Sequence, residues 1–140
     1  MNYSRRDLSL LLPALAAAQA TAQTPALPSK TYSYPDLPVK ANASNRQRAV
    51  MDGATHTGFL VNLHMTELGP GQAPHPPHHH VHEEMIMIHE GTLEVTISGR
   101  AATLGPGSIA YVASGEEHGW RNVGTGPANY FVLALGQKKK

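Results

Sequence analysis

A chain of 140 residues with 41% hydrophobic side chains is enough for one domain around one modest core. A formal net charge of +1 gives no field for gathering nucleic acid or an anionic membrane surface. Cysteine is absent, which excludes disulfides, a thiolate zinc site and a thiol nucleophile.

The chain opens on Arg5-Arg6, an apolar stretch from Leu8 to Ala18, and small residues around Ala18-Gln19-Ala20 and Ala20-Thr21-Ala22. That is the layout of an export signal whose apolar part is too short to span a membrane. Ser4-Arg5-Arg6-Asp7-Leu8 resembles the twin-arginine export motif, with Leu8 in place of its Phe and Ser9 in place of its Leu. An ordinary secretory signal is the alternative. Residues 1–22 are read as the signal, and cleavage after Ala22 would deliver the rest to the periplasm or beyond, with no membrane segment left. Residues 23–45 hold Pro25, Pro28, Pro35 and Pro38 and read as a Pro-rich arm, although Tyr32 and Tyr34 would let part of it lie along the body.

Residues 46–137 read as the folded domain, all-β throughout. Phe59, Val61, Leu63 and Met65 alternate to one face before Gly69-Pro70-Gly71 breaks the strand. Residues His78 to His89 read as extended up to a turn at Glu90-Gly91. Leu93, Val95 and Ile97 then share a face, and Gly99-Arg100 turns the chain. Further strands are expected in Ser108–Ala113, His118–Val123 and Asn129–Leu135, separated by Ser114-Gly115 and by Gly124–Pro127. Short strands with a turn signal about every ten residues point to a sandwich or small barrel.

The chemistry is concentrated in the segment APHPPHHHVHEEMIMIHEG, Ala73 to Gly91. Strand residues two apart share a face, so His78, His80 and Glu84 would form one open metal wall. His118, in a separate turn-bounded strand, is the candidate for a further nitrogen. His82 shares parity with His80 and reads as an alternative ligand or an acid/base group, unless a bend between His80 and Glu84 turns it to solvent. His75, His79 and His89 read as loop or outer residues, and His64 as either a neighbour of the site or a surface residue. A loose metal-scavenging tract would not need Glu84, Gly91 and a distant His118 at fixed spacings.

Those spacings resemble the two motifs of the cupin family. His-x-His-x3-Glu-x6-Gly is met by His78, His80, Glu84 and Gly91. Gly-x5-Pro-x-Gly-x2-His-x3-Asn is met by Gly107, Gly115, His118 and Asn122. Ala113 replaces the second motif's Pro, and Gly71 lies one residue too far from His78 to open the first motif at its usual distance. The resemblance implies a double-stranded β-helix, or jelly-roll, barrel holding one divalent transition metal on His78, His80, Glu84 and His118. Three imidazoles and a carboxylate suit Mn, Fe, Ni or Zn.

Ile86, Ile88 and Trp120 read as an apolar lining, with Val61, Val95 and Phe131 as companions, and no arginine falls at an inward position. A small dianion would want a cationic partner. The expected ligand is therefore a neutral enol or phenol that chelates the metal. Two classes of function follow: a dioxygenase-like enzyme using Glu84 and His82 as its catalytic groups, or a non-catalytic metal- or small-ligand-binding protein. Met85 and Met87, on the outer side of their strand, suggest a homodimer.

Overall fold

The computed structural model describes residues 25–137. The export signal expected in residues 1–22, and the lysine tail from Lys138, lie outside those residues. Among the described residues no helix is long and apolar enough to cross a membrane, and the helical content is one 3-10 turn, Tyr34–Asp36, opened by Pro35.

Nine strands follow in chain order: β1 (Val39–Ala41), β2 (Asn45–Ala54), β3 (Phe59–Leu68), β4 (Glu83–Glu90), β5 (Leu93–Ile97), β6 (Arg100–Leu104), β7 (Ile109–Val112), β8 (His118–Asn122) and β9 (Ala128–Gln137). They form a six-stranded sheet in the order β1-β2-β3-β9-β4-β7 and a three-stranded sheet in the order β6-β5-β8. Every strand pairing is antiparallel. This is the expected jelly-roll.

The core between the sheets is built from Leu68, Ile86, Ile88, Leu93, Val95, Val112, Trp120, Tyr130 and Val132, with Ala110 and Ala128 filling the narrow places. Each large side chain taken fully out of water contributes about 1.5–3 kcal/mol. Alternation explains the inward set on β4 and β5, where Ile86, Ile88, Leu93 and Val95 are buried.

β3 reverses the expectation. Its inward face carries His64, Thr66 and Leu68, paired through Val132, Tyr130 and Ala128 of β9 to the core. Val61, Leu63 and Met65 lie on the opposite side, where β9 presents Leu135, Leu133 and Phe131. Val61 and Phe131 are thus not companions of the site. A strand bordering a polar pocket turns polar residues inward, so its apolar stripe marks the outer face.

Three strands carry weak sequence signals. β2 bears Arg46, Arg48 and Asp52, and a bulge between Ala49 and Met51 breaks its alternation. β6 is a largely exposed edge strand of small residues. β1 lies within the stretch read as an arm, pairing with Arg46–Arg48, and further upstream Ala26 forms a parallel bridge to Ala54. The β5–β6 turn falls one residue earlier than expected, on Ser98 and Gly99. Both have positive φ, 47° and 76°, as a tight two-residue hairpin demands.

Candidate metal centre

Glu84 enters the interior from β4, near the start of the strand, and is 6% exposed. Its Oε2 lies 2.8 Å from His80 Nε2 and 3.1 Å from His118 Nε2. His118, 1% exposed, comes from β8 in the opposite sheet. One carboxylate oxygen therefore joins the two sheets through imidazoles.

His78 and His80 do not stand on β4, as the extended reading of His78 to His89 required. His78 exchanges both backbone hydrogen bonds with His118, at 3.0 and 2.9 Å, and so belongs with the three-stranded sheet. The chain must then cross to the six-stranded sheet before Glu83, and it bends at Val81-His82 to do so. The crossing is pinned by Gly115 N–H donating to the His80 carbonyl (2.8 Å) and by the Ser114 hydroxyl donating to the Val81 carbonyl (2.7 Å). The contact of His80 with Glu84, and the gathering of His78 with His80 and His118, arise from this crossing, not from strand parity. Ligand atoms of His78, His80 and His118 lie within 4.8 Å of one another, as do those of His80, His82 and Glu84.

The surroundings fix which ring nitrogens face the centre. His80 Nδ1 donates to the His82 carbonyl (2.8 Å) and His118 Nδ1 to the Glu116 carbonyl (2.9 Å). Those bonds leave each Nε2 lone pair aimed inward at the same carboxylate oxygen. Two lone pairs and an anionic oxygen in contact are compatible only with positive charge between them, either protons or a cation. The buried Nδ1 of His78 has no hydrogen-bond partner in the protein, which a buried polar atom seldom tolerates. Desolvation, followed by neighbouring His75, His118 and His80, lowers the His78 pKa against the pull of Glu84. The donor set fits a divalent transition metal of the N/O-preferring kind.

The bend does not carry His82 away. Its ring stacks on His80, 3.5 Å between centroids and 12° between planes. Burial, then His80, holds its pKa below the ordinary imidazole value. His75, His79 and His89 are exposed, although the His75 ring meets His78 edge-on at 4.3 Å. His64 is half-buried on the inward face of β3, with Nδ1 3.2 Å from Asn62 Oδ1. Burial lowers its pKa while Glu84 opposes that shift. The sequence left His64 undecided; its opposite parity to Met65 was the available signal. Beneath the polar cluster, Trp120 stacks on His118 at 6.1 Å and Ile86 is fully buried.

A two-sheet jelly-roll whose interior gathers three imidazoles and a carboxylate is a barrel laid out to hold a metal ion. Residues 64–134 match the family model described as the cupin domain, and the chain belongs to the cupin superfamily. A predicted oxalate decarboxylase from Thermotoga maritima is similar in structure, with a TM-score of 0.68 and 16% identity, covering 76% of this chain and 99% of the other. KdgF from a Halomonas species gives a TM-score of 0.67 at 14% identity, covering 78% of this chain and 96% of the other. The polyketide cyclase RemF from Streptomyces resistomycificus gives 0.62 at 21% identity, covering 80% and 87%. At these identities the likeness is one of fold. No curated protein matches the sequence.

Proposed function

We propose that this chain is an exported, metal-dependent, dioxygenase-like enzyme acting on a small neutral compound that chelates through an enol or phenol oxygen. The observation that carries this reading is the joining of His80 and His118 on Glu84, with no described arginine paired to any of the three. None of the four described arginines pairs with the cluster, although Arg121 borders a cleft beside His118 and Trp120. Arg121 pairs with Glu94 on the outer surface, Arg48 lies over the Tyr34 ring, Arg46 pairs opposite Glu67, and Arg100 is exposed. A neutral ligand suits such a pocket better than a dianion. Structural neighbours described as a decarboxylase and a cyclase share the fold, so the reaction must be argued from the site.

His78, His80, Glu84 and His118 would hold the metal, whose chemistry when bound is Lewis acidity toward a substrate oxygen and partnership with dioxygen. The backbone carbonyls of His82 and Glu116 keep the His80 and His118 rings in the tautomer that presents Nε2. The Glu84 carboxylate would take the substrate's hydroxyl proton on an oxygen. His82 is the alternative base, within reach of the same centre. Ile86 and Trp120 close the floor to water. Export fits this reading if the twin-arginine route is used, since that route carries folded protein and permits metal loading beforehand.

The test is oxygen uptake by the metal-loaded chain with a panel of catechols and enols. Uptake that requires metal and collapses in Glu84→Gln supports the proposal, and His82→Gln separates base from bystander. A second reading, a non-catalytic binder, is favoured by the His82 ligand atom lying within 4.8 Å of those of His80 and Glu84, where His82 would serve as a ligand and not as a base. Substrate binding without oxygen uptake across the panel would establish that second reading.

A further inference from the structure

The face of the six-stranded sheet that carries Glu84 continues across the strands to a second chamber. Glu84 stands beside Ala134 on β9, Ala134 beside Asn62 on β3, and Asn62 beside Asp52 on β2. Neighbouring strands lie about 4.8 Å apart, so Glu84 and Asn62 are separated by about 10 Å. The residue between them is alanine, too small to wall one off from the other. Over β2 and β3 the arm from Lys30 to Lys40 arches back and borders an open cleft of about 780 Å³, with His64 and Asn62 on its floor. That volume is within the usual range for small-molecule sites.

The lining defines the ligand. Lys30 and Lys40 are balanced by Asp36 and Asp52, so a net charge on the ligand would gain no advantage. Tyr32, Leu37, Pro38, Val50, Met51 and Leu63 supply apolar surface for C–H faces, and the side-chain amides of Gln47 and Asn62 offer donors and acceptors, the Asn62 oxygen being shared with His64 Nδ1. A hydroxyl also donates and accepts, and a chain of hydroxyls can satisfy ammonium, carboxylate and amide groups in turn. We infer that the arm-bordered cleft binds a neutral polyhydroxylated group, a polyol or sugar-like tail, of the compound whose chelating head sits at the metal centre. The identity of the head rests on the function proposed above; the cleft's preference does not.

The probe is sorbitol, titrated into ¹⁵N-labelled full-length chain loaded with diamagnetic zinc. Gluconate and glucamine serve as anionic and cationic counterparts. Sorbitol should shift the side-chain amide signals of Gln47 and Asn62, and Asn62→Ala or Gln47→Ala should weaken binding about fivefold, the worth of a single hydrogen bond. Both positions are on an open cleft, and neither side chain belongs to the core. Unmoved amide signals, affinity indifferent to both variants, or gluconate or glucamine binding about tenfold tighter than sorbitol would overturn the inference. Catechol binding is measured separately at the metal. Sorbitol binding with no catechol binding would remove the proposed metal chemistry and leave the cleft; the reverse result would remove the cleft alone.

Discussion

Asn122 is fully buried and uses each polar atom of its side chain. Nδ2 donates to the Leu68 and Gly126 carbonyls, both at 2.9 Å, and Oδ1 accepts from Gly124 N–H at 2.9 Å. It thereby ties the end of β3 to the β8–β9 turn, and its place in the second motif is structural, not ligating. Asn122→Ala strands those partners away from water and should cost about 2–4 kcal/mol, read as a lower urea midpoint with unchanged slope. Tyr130 gives a pH dependence of definite sign. Its hydroxyl and the Trp120 ring nitrogen approach in the core without closing a hydrogen bond, and burial pushes the phenol up to about 12. A raised folded pKa means the stabilisation is complete below the unfolded value of about 10 and is lost as pH rises to about 12. The loss is on the order of 2–3 kcal/mol, and Tyr130→Phe should flatten it in alkaline unfolding curves.

At the scale of elements, Gly91 shows why a motif glycine is required. It turns β4 into β5 at φ 81°, and a Cβ there would lie 2.6 Å from the Ala128 Cα and 2.8 Å from the Pro127 carbonyl oxygen. Gly91→Ala combines backbone strain with an immovable clash and should destabilise by more than about 3 kcal/mol in thermal melts. The outer face of the six-stranded sheet supports a different expectation. Ile109 is 63% and Tyr111 50% exposed on the edge strand β7, directly beside Met87 and Met85 of β4. Burying that face against a second copy is the proposed role of this surface, so light scattering should report a dimer, and Ile109→Lys with Tyr111→Lys should yield a monomer. A wild-type monomer at high concentration would exclude it. The strands themselves were legible where alternation was clean, as in Leu93, Val95 and Ile97. They were illegible where a bulge interrupts it in β2, or where an exposed edge needs no apolar face, as in β6.

Across the whole molecule, the centre draws on both sheets and on the crossing between them. His78, His80, Glu84 and His118 were legible because their spacing follows two motifs that hold their place in this topology. How His80 reaches Glu84 while His78 stays with His118 was not, since the bend at Val81-His82 depends on contacts with Ser114 and Gly115 more than thirty residues away. His64 stayed undecided between site neighbour and surface residue for a related reason: the side a polar residue on an amphipathic strand faces is not fixed until the pocket it borders is known. Export is testable by fractionating cells that carry Arg5→Lys with Arg6→Lys, where the twin-arginine proposal expects loss from the periplasm and undiminished arrival would leave a general secretory signal. The most direct measurement of the central claim is metal content of the purified chain beside its single-histidine variants. The wild type should hold roughly one transition metal per chain, and His78→Ala, His80→Ala and His118→Ala should each lose it while His75→Ala and His79→Ala keep it. Full retention in His78→Ala and His118→Ala, with loss in His75→Ala or His79→Ala, would contradict the assignment of this centre.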